Sequence, residues 1–227
     1  MRCSCKIETE KSMVTRRTFV KEASFAMGIA AVSGVVGCSD GETHKEATRN
    51  MKFSELIEAR RSVRKYAKAT ISKDEMAKIV EEALNAPSWK NTETTRYYAA
   101  IGDDAKAKMW SDALPGFNAA SSANAAALVA VTFVPGESGY MGDTPADELG
   151  EMWGAYDCGL ASSYFILAAK NHGWDTLIMG IRDTAKVKTI LGIPAKEVLM
   201  SVIAVGKSAQ AYFKNPRKPV AEVLKVM

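Results

Sequence analysis

From residue 51 onward the apolar positions of this chain change period several times. Phe53, Leu56 and Ile57 fall at helical spacing and predict a helix over 54–61. Ser72 and Glu75 form a capping-box pair ahead of Met76, Ile79, Val80, Ala83 and Leu84, so a second helix is expected over 72–85, stopped by Pro87. A short strand over 97–101 and a helix over 104–113 follow, with a break at Pro115-Gly116. Residues 127–134 are an unbroken apolar run closed by Pro135-Gly136, the pattern of a strand covered on both faces. A loop over 135–145 leads to the longest expected helix, 148–171, which carries Leu160, Phe165, Ile166 and Leu167 and ends at Gly173. A strand over 174–181, a helix over 184–191 closed by Gly192 and Pro194, and a strand over 198–205 complete the pattern. Helices and strands are mixed without a regular βαβ repeat, which favours an α+β fold.

Upstream of residue 51 the pattern has another character. Thr15-Arg16-Arg17-Thr18-Phe19-Val20-Lys21 is a twin-arginine export pattern, followed by an Ala/Gly-rich apolar run over 23–37. A bilayer span needs about 20 residues; this run is shorter and has the size of a signal h-region. It ends in Val35-Val36-Gly37-Cys38, a lipobox-like sequence with cleavage expected before Cys38 and lipid attached to its sulfur. A buried N-terminal helix is the competing reading. The expected organisation is a signal peptide over 1–37, a polar tether over 38–50 and a folded domain over 51–227. The expected location is exported, anchored to the membrane on the periplasmic or extracytoplasmic face. Twin-arginine substrates cross the membrane folded, often with a cofactor already loaded.

Composition narrows the chemistry. The chain has 227 residues, 47% hydrophobic and 25% charged, ordinary for one soluble domain with a sizeable core. A net charge of +4 without a basic stripe gives no reason to expect nucleic acid. Cys3, Cys5 and Cys38 belong to the expected leader, so Cys158 stands alone; a disulfide framework and a Cys-based metal site are excluded from the domain. HExxH, GxSxG, Walker A and GxGxxG patterns are all missing, which removes zinc hydrolase, serine hydrolase, P-loop and dinucleotide-fingerprint readings.

Two segments remain. Arg60-Arg61-Ser62-Val63-Arg64 puts guanidinium groups and a hydroxyl at the end of the first helix. The planar fork of arginine matches two phosphate oxygens, and alternating positions can turn Arg60, Ser62 and Arg64 toward one ligand. Ala86-Pro87-Ser88-Trp89-Lys90-Asn91 is a polar loop after the second helix. Together they suit a planar cofactor that carries a phosphate. Each also has a plainer reading: arginines on a surface helix are usually solvated, and Pro87-Ser88 also serves as a helix stop.

In order and spacing these segments resemble the N-terminal signature of the FMN-dependent nitroreductase family. The likeness continues at Asp157-Cys158-Gly159-Leu160-Ala161-Ser162, at Trp174-Asp175-Thr176-Leu177-Ile178-Met179-Gly180, at Leu191-Gly192-Ile193-Pro194 and at Val202-Ile203-Ala204-Val205-Gly206, covering roughly 53–219. The resemblance implies an α+β nitroreductase-like fold, with a central, mainly antiparallel sheet flanked by helices. It also implies an intertwined homodimer with FMN at its interface. Arg60, Arg61, Ser62 and Arg64 would then touch the phosphate, ribityl chain and ring edge. Pro87, Ser88, Trp89 and Asn91 would reach the flavin from the partner subunit, Asn118 would contact it, and the backbone of Met179 and Gly180 would face the ring. Arg217 would bind the phosphate, with Lys218 as its competitor. Without the resemblance, Met179 reads as core, and Arg217 and Lys218 as solvated tail.

The family pattern is broken after Asn91, where most members carry Gln-Pro-Trp and this chain has Glu93-Thr94-Thr95. The change leaves substrate class and redox tuning open; Trp89 and Trp174 are candidates to restore aromatic surface. Tyr140 and Met141 are candidate lid residues. His172, in a last helical turn, reads as a dipole partner, and Cys158 as a small core residue. No catalytic acid, base or metal ligand is assigned. The expected activity is two-electron, ping-pong reduction of nitroaromatic, quinone or related small acceptors, with NAD(P)H or another donor. The alternative is an exported flavin-binding electron-relay lipoprotein without NAD(P)H-dependent activity.

Overall fold

The computed structural model describes residues 51–227. The expected signal segment, Cys38 and the tether lie outside the described residues.

Helix α1 (Phe53–Ala59) stops two residues earlier than its periodicity suggests, because Arg60 turns to an extended conformation (φ −62°, ψ 131°). The chain then runs flat, with the Val63 amide donating to the Thr176 carbonyl at 3.0 Å, before strand β1 (Tyr66–Ala67). Helix α2 (Lys73–Ala83) begins at the expected capping box: the Glu75 amide donates to Ser72 Oγ at 3.1 Å and the Ser72 amide to the Glu75 carboxylate at 2.8 Å. A 3₁₀ turn (Trp89–Asn91) leads into β2 (Thr95–Ala100) and α3 (Asp103–Lys108), which widens into a π-helical turn (Met109–Ala113). Then come α4 (Gly116–Ser122), β3 (Ala127–Phe133), a hairpin of β4 (Tyr140–Met141) and β5 (Thr144–Pro145), and α5 (Met152–Asn171). The chain closes with β6 (Asp175–Met179), α6 (Thr184–Leu191), β7 (Val198–Ser208) and a short α7 (Val220–Val223).

The main sheet has five strands, ordered β1-β7-β3-β2, with β6 also paired to β7. Every pairing is antiparallel, as expected. β7 is the spine: Val202–Gly206 face β6 while the opposite edge of the strand pairs with β3. Period two divides its side chains between two cores. Leu128 and Ala130 of β3, with Val202 and Ala204 of β7, pack toward Met109, Val187 and Ile193. Val129, Val131 and Phe133, with Ile203 and Val205, pack toward Ile79, Phe165 and Trp174 of the opposite layer. Burial on both faces explains the unbroken apolar runs. Each fully buried aliphatic side chain contributes on the order of 1.5–3 kcal/mol.

Three differences from the sequence expectation have local causes. α4 forms from Gly, Asn and Ser positions of poor propensity; Ser122 Oγ donates back to the Asn118 carbonyl at 2.8 Å and accepts from Trp110 Nε1 at 2.9 Å, so tertiary contact holds it. α5 starts at Met152 rather than near 148, because the Asp147 carboxylate accepts from the Leu149 and Gly150 amides and folds the preceding turn. β6 ends at Met179, leaving Gly180 and Ile181 free of the ladder. The α5 terminus matches expectation: Gly173 takes φ +76° and His172 caps the helix, with its ring 2.7 Å from Glu82.

Candidate functional site

The extended run after α1 gives the arginines one direction. Val63 is buried (1% exposed), pinning the segment to the core, while Ser62 and Arg64 stay exposed and Arg60 half-buried. The C-terminal segment folds back over them. The Arg64 amide donates to Tyr212 Oη at 2.8 Å, and Lys214 pairs with Glu58 of α1. Between the two segments lies an open cavity of about 360 Å³, whose walls include Arg60, Arg61, Ser62, Arg64, Tyr212 and Arg217. Arg217 is among its walls and Lys218 is not. Burial, with Arg217 and Arg61 close by, pushes the Arg60 guanidinium below its ordinary value. Arg61 donates Nη1 to the Arg60 carbonyl at 2.7 Å, yet its Nε is buried without a partner. Glu58, the carboxylate in the cavity wall, is already held by Lys214, which lowers its pKa. The cavity is thus a cluster of cations with donor capacity to spare, the donor set a phosphate requires.

The loop after α2 forms a second group. Lys90, Asn91 and Glu93 take positive φ values of 47°, 57° and 50°, conformations that persist only where surroundings impose them. The Glu93 amide donates to Ser88 Oγ at 3.0 Å and Asn91 Nδ2 to the Glu93 carboxylate at 2.8 Å. The Trp89 amide donates to the buried Asp157 carboxylate on α5 at 2.9 Å. Pro87, Ser88, Glu93 and Asp157 together line a small cavity of about 30 Å³. The Trp89 ring lies 4.8 Å from that of Trp153, which in turn meets Tyr156 edge-on at 5.5 Å. Aromatic surface beside the loop therefore comes from Trp89 and Trp153. Trp174 does not supply it: it is 3% exposed in the core, with Lys207 Nζ 3.9 Å from its ring centre.

A third group surrounds the end of β6. Met179 is 2% exposed, with its side chain in the core. Asn118 is buried and donates Nδ2 to the Ile181 carbonyl at 2.7 Å. One of its two amide N–H groups is thereby spent on the backbone. Arg182, which sequence reasoning missed, donates to the Gly180 and Leu199 carbonyls. Asn118 and Arg182 thus turn successive carbonyls at 180 and 181 toward the protein. Arg182 carried no motif; only its place directly after Met179-Gly180-Ile181 could have drawn attention.

Arg60, Arg61, Ser62, Arg64 and Arg217 are thus brought together in one cavity, and Pro87, Ser88, Trp89 and Asn91 in one loop. Asn118 joins the Met179–Gly180 segment through Ile181. Neither the loop nor Met179 and Gly180 line the arginine cavity within one chain. Met141 does reach the loop, with Lys90 Nζ 3.6 Å from its sulfur. Cys158 is fully buried, and burial pushes its thiol up to about 12, as suits a core residue. Among the described residues no group of His, Cys, Asp and Glu is placed to hold a metal ion.

The family model described as the nitroreductase family matches residues 57–207. The chain belongs to the nitroreductase family. This family member is 28% identical over 198 residues to YdgI, a candidate NAD(P)H nitroreductase of Bacillus subtilis (strain 168), across 74% of this chain and 94% of that protein. It is 27% identical over 201 residues to the CLA biosynthesis enone reductase of Lactiplantibacillus plantarum, across 73% of this chain and 91% of that protein. Among solved structures, it resembles a candidate nitroreductase from Exiguobacterium sibiricum 255-15, determined in complex with FMN. The TM-score is 0.69 and the identity 25%, over 78% of this chain and 98% of that one.

Proposed function

We propose that this chain is an FMN-dependent oxidoreductase that works as a homodimer and reduces small planar acceptors at the expense of NAD(P)H. The observation that carries the reading is the arginine cavity: Arg60, Arg61, Arg64 and Arg217 converge with Ser62, and a buried Arg61 Nε has no partner there. FMN ends in a phosphate, and that donor set fits it. The FMN complex of the Exiguobacterium relative and the NAD(P)H nitroreductase description of YdgI support the same assignment.

Arg60, Arg61, Arg64 and Arg217 would hold the phosphate and Ser62 the ribityl chain. The backbone of Met179 and Gly180 would face the ring, with Asn118 and Arg182 fixing its orientation. Pro87, Ser88, Trp89 and Asn91 would close the site from the partner subunit, which agrees with their absence from the arginine cavity of their own chain. A second copy also accounts for apolar surface that one chain leaves open: Phe53 and Ile57 of α1, and Tyr156 and Tyr164 of α5, are 71%, 46%, 59% and 42% exposed. The flavin, when bound, supplies two-electron transfer. The protein would hold it, orient it and keep water from it.

Nitroaromatic, quinone and enone compounds are the acceptors we assign. The aromatic pair Trp89 and Trp153 favours planar ones, and the enone reductase relative supports the last class. The twin-arginine and lipobox patterns support export and anchoring through Cys38. The reading is tested by adding NADH and NADPH, without oxygen, to the full chain loaded with FMN. Bleaching of the flavin bands by at least one nicotinamide is expected. A loaded protein that resists both would overturn the donor assignment and favour an electron-relay lipoprotein.

A further inference from the structure

We propose that Asp157 is a positioning residue that ties the cofactor loop and the lid to a single point, so that the two move as one unit. The inference rests on the reading above for the role of the loop, but not for the linkage itself.

Asp157 lies near the start of α5 and is 3% exposed. One carboxylate oxygen, Oδ2, accepts from the Trp89 amide at 2.9 Å and from Ser138 Oγ at 2.7 Å. Trp89 belongs to the loop; Ser138, 1% exposed, belongs to the stem that leads into the β4–β5 hairpin. Ser138 has one hydroxyl proton and gives it to Asp157, so it accepts from its other neighbours. Thr94 Oγ1, at 3.4 Å, is free to donate to it, whereas Thr92 Oγ1, at 2.9 Å, shares its one proton between Ser138 and the Trp89 carbonyl at 2.8 Å; both threonines are on the loop side, and Thr92 thereby joins Ser138 to Trp89 a second time. The same stem is braced once more at Gly136, whose amide donates to Glu151 Oε2 at 3.0 Å. The hairpin tip returns to the loop through Lys90 and Met141.

This arrangement answers a question the loop raises. Lys90, Asn91 and Glu93 hold left-handed conformations that side chains other than glycine rarely adopt, so something outside the loop must impose them. The buried carboxylate and the Ser138 hydroxyl are the groups that grip it from α5 and from the lid stem. A buried network of this kind is sensitive to the loss of any member, because the partners left behind are desolvated and unpaired. Change at the lid stem is therefore felt at the cofactor loop, although Ser138 touches no residue assigned to the flavin.

The Trp89–Trp153 pair is a built-in reporter. Its rings are 4.8 Å apart and tilted by 51°, a geometry that gives an exciton couplet in circular dichroism. Trp153 is held from the far end of the hairpin, its Nε1 donating to Asp147 at 2.9 Å two residues beyond β5, so the couplet reads the loop and the lid stem against each other.

The test uses the full chain with Ser138→Ala, measured without and with FMN. The couplet is expected to shrink in the FMN-free protein, and FMN, titrated by its fluorescence, is expected to bind about tenfold more weakly, the loss of roughly one hydrogen bond. In an Asp157→Ala background the same Ser138 change adds nothing further, as coupling through one node requires. Thr92→Val removes the loop-side contacts to Ser138 and to the Trp89 carbonyl together and serves if Ser138→Ala does not fold; Thr92→Ser, which keeps the hydroxyl, restores both signals. A folded Ser138→Ala or Thr92→Val protein with the wild-type couplet overturns the proposal, whether or not FMN binds. Failure of the unaltered chain to bind FMN would instead sink the cofactor assignment, and the couplet would still decide the linkage.

Discussion

Arg61 is half-buried around an unpartnered Nε, and burial, with Arg217 and Arg61 close by, already lowers the Arg60 pKa. Such a cluster is unfavourable until an anion joins it. Arg217 is the residue whose role rests most on the phosphate, because it comes from the tail and lines the cavity without an ion-pair partner among the described contacts. Arg217→Ala should weaken FMN binding about ten- to hundredfold, the scale of one charge-assisted hydrogen bond. Riboflavin, which has no phosphate, should bind both proteins alike. Fluorescence titration with the two ligands checks this. The arginine segment could be read from sequence because guanidinium chemistry is local to the residues that carry it. The role of Asn118 could not. Its side chain donates to the Ile181 carbonyl, 63 residues away, and no spacing along the chain records such a contact.

α5 shows how packing overrides propensity. Gly154 stands in its first turn, where alanine would favour the helix by about 1 kcal/mol. A Cβ there would lie 2.6 Å from the ring of buried Phe133 on β3. Gly154→Ala should therefore destabilise the protein, by about 1–3 kcal/mol, despite the better helix former. Urea unfolding checks the sign; a stabilised variant would show that the α5–β3 approach is looser than described. The long elements were readable because their periodicity repeats over many residues, as in the run 127–134 and the Ser72 capping box. The small ones were not. β1 and the β4–β5 hairpin have two-residue strands, too short to carry a period, and α4 depends on Trp110 meeting Ser122. The sharp start of the arginine segment was misplaced for a related reason: helical spacing continues through Arg60, while the backbone leaves the helix there to lie beside β6.

The whole domain has a predictable weakness at high pH. Cys158 is fully buried, and burial pushes its thiol up to about 12. In the unfolded chain the thiol ionises near its ordinary value of about 8.5. Between those values the unfolded state binds fewer protons than the folded state, so stability falls as pH rises, by up to about 1.4 kcal/mol per pH unit from this group. The urea midpoint should drop from about pH 9 to about pH 11, and the drop should be shallower in Cys158→Ala, whatever its midpoint at neutral pH. Equal slopes would remove the thiol from the explanation. The larger claim is that the fold exists to present a flavin between two copies of the chain. It is tested most directly by incubating the purified full chain with FMN, separating unbound ligand on a sizing column, and recording the absorbance of the eluted protein. Flavin bands that elute with a dimer, near one FMN per chain, are the expected result; a protein that emerges colourless would contradict the cofactor assignment and the residue roles built on it.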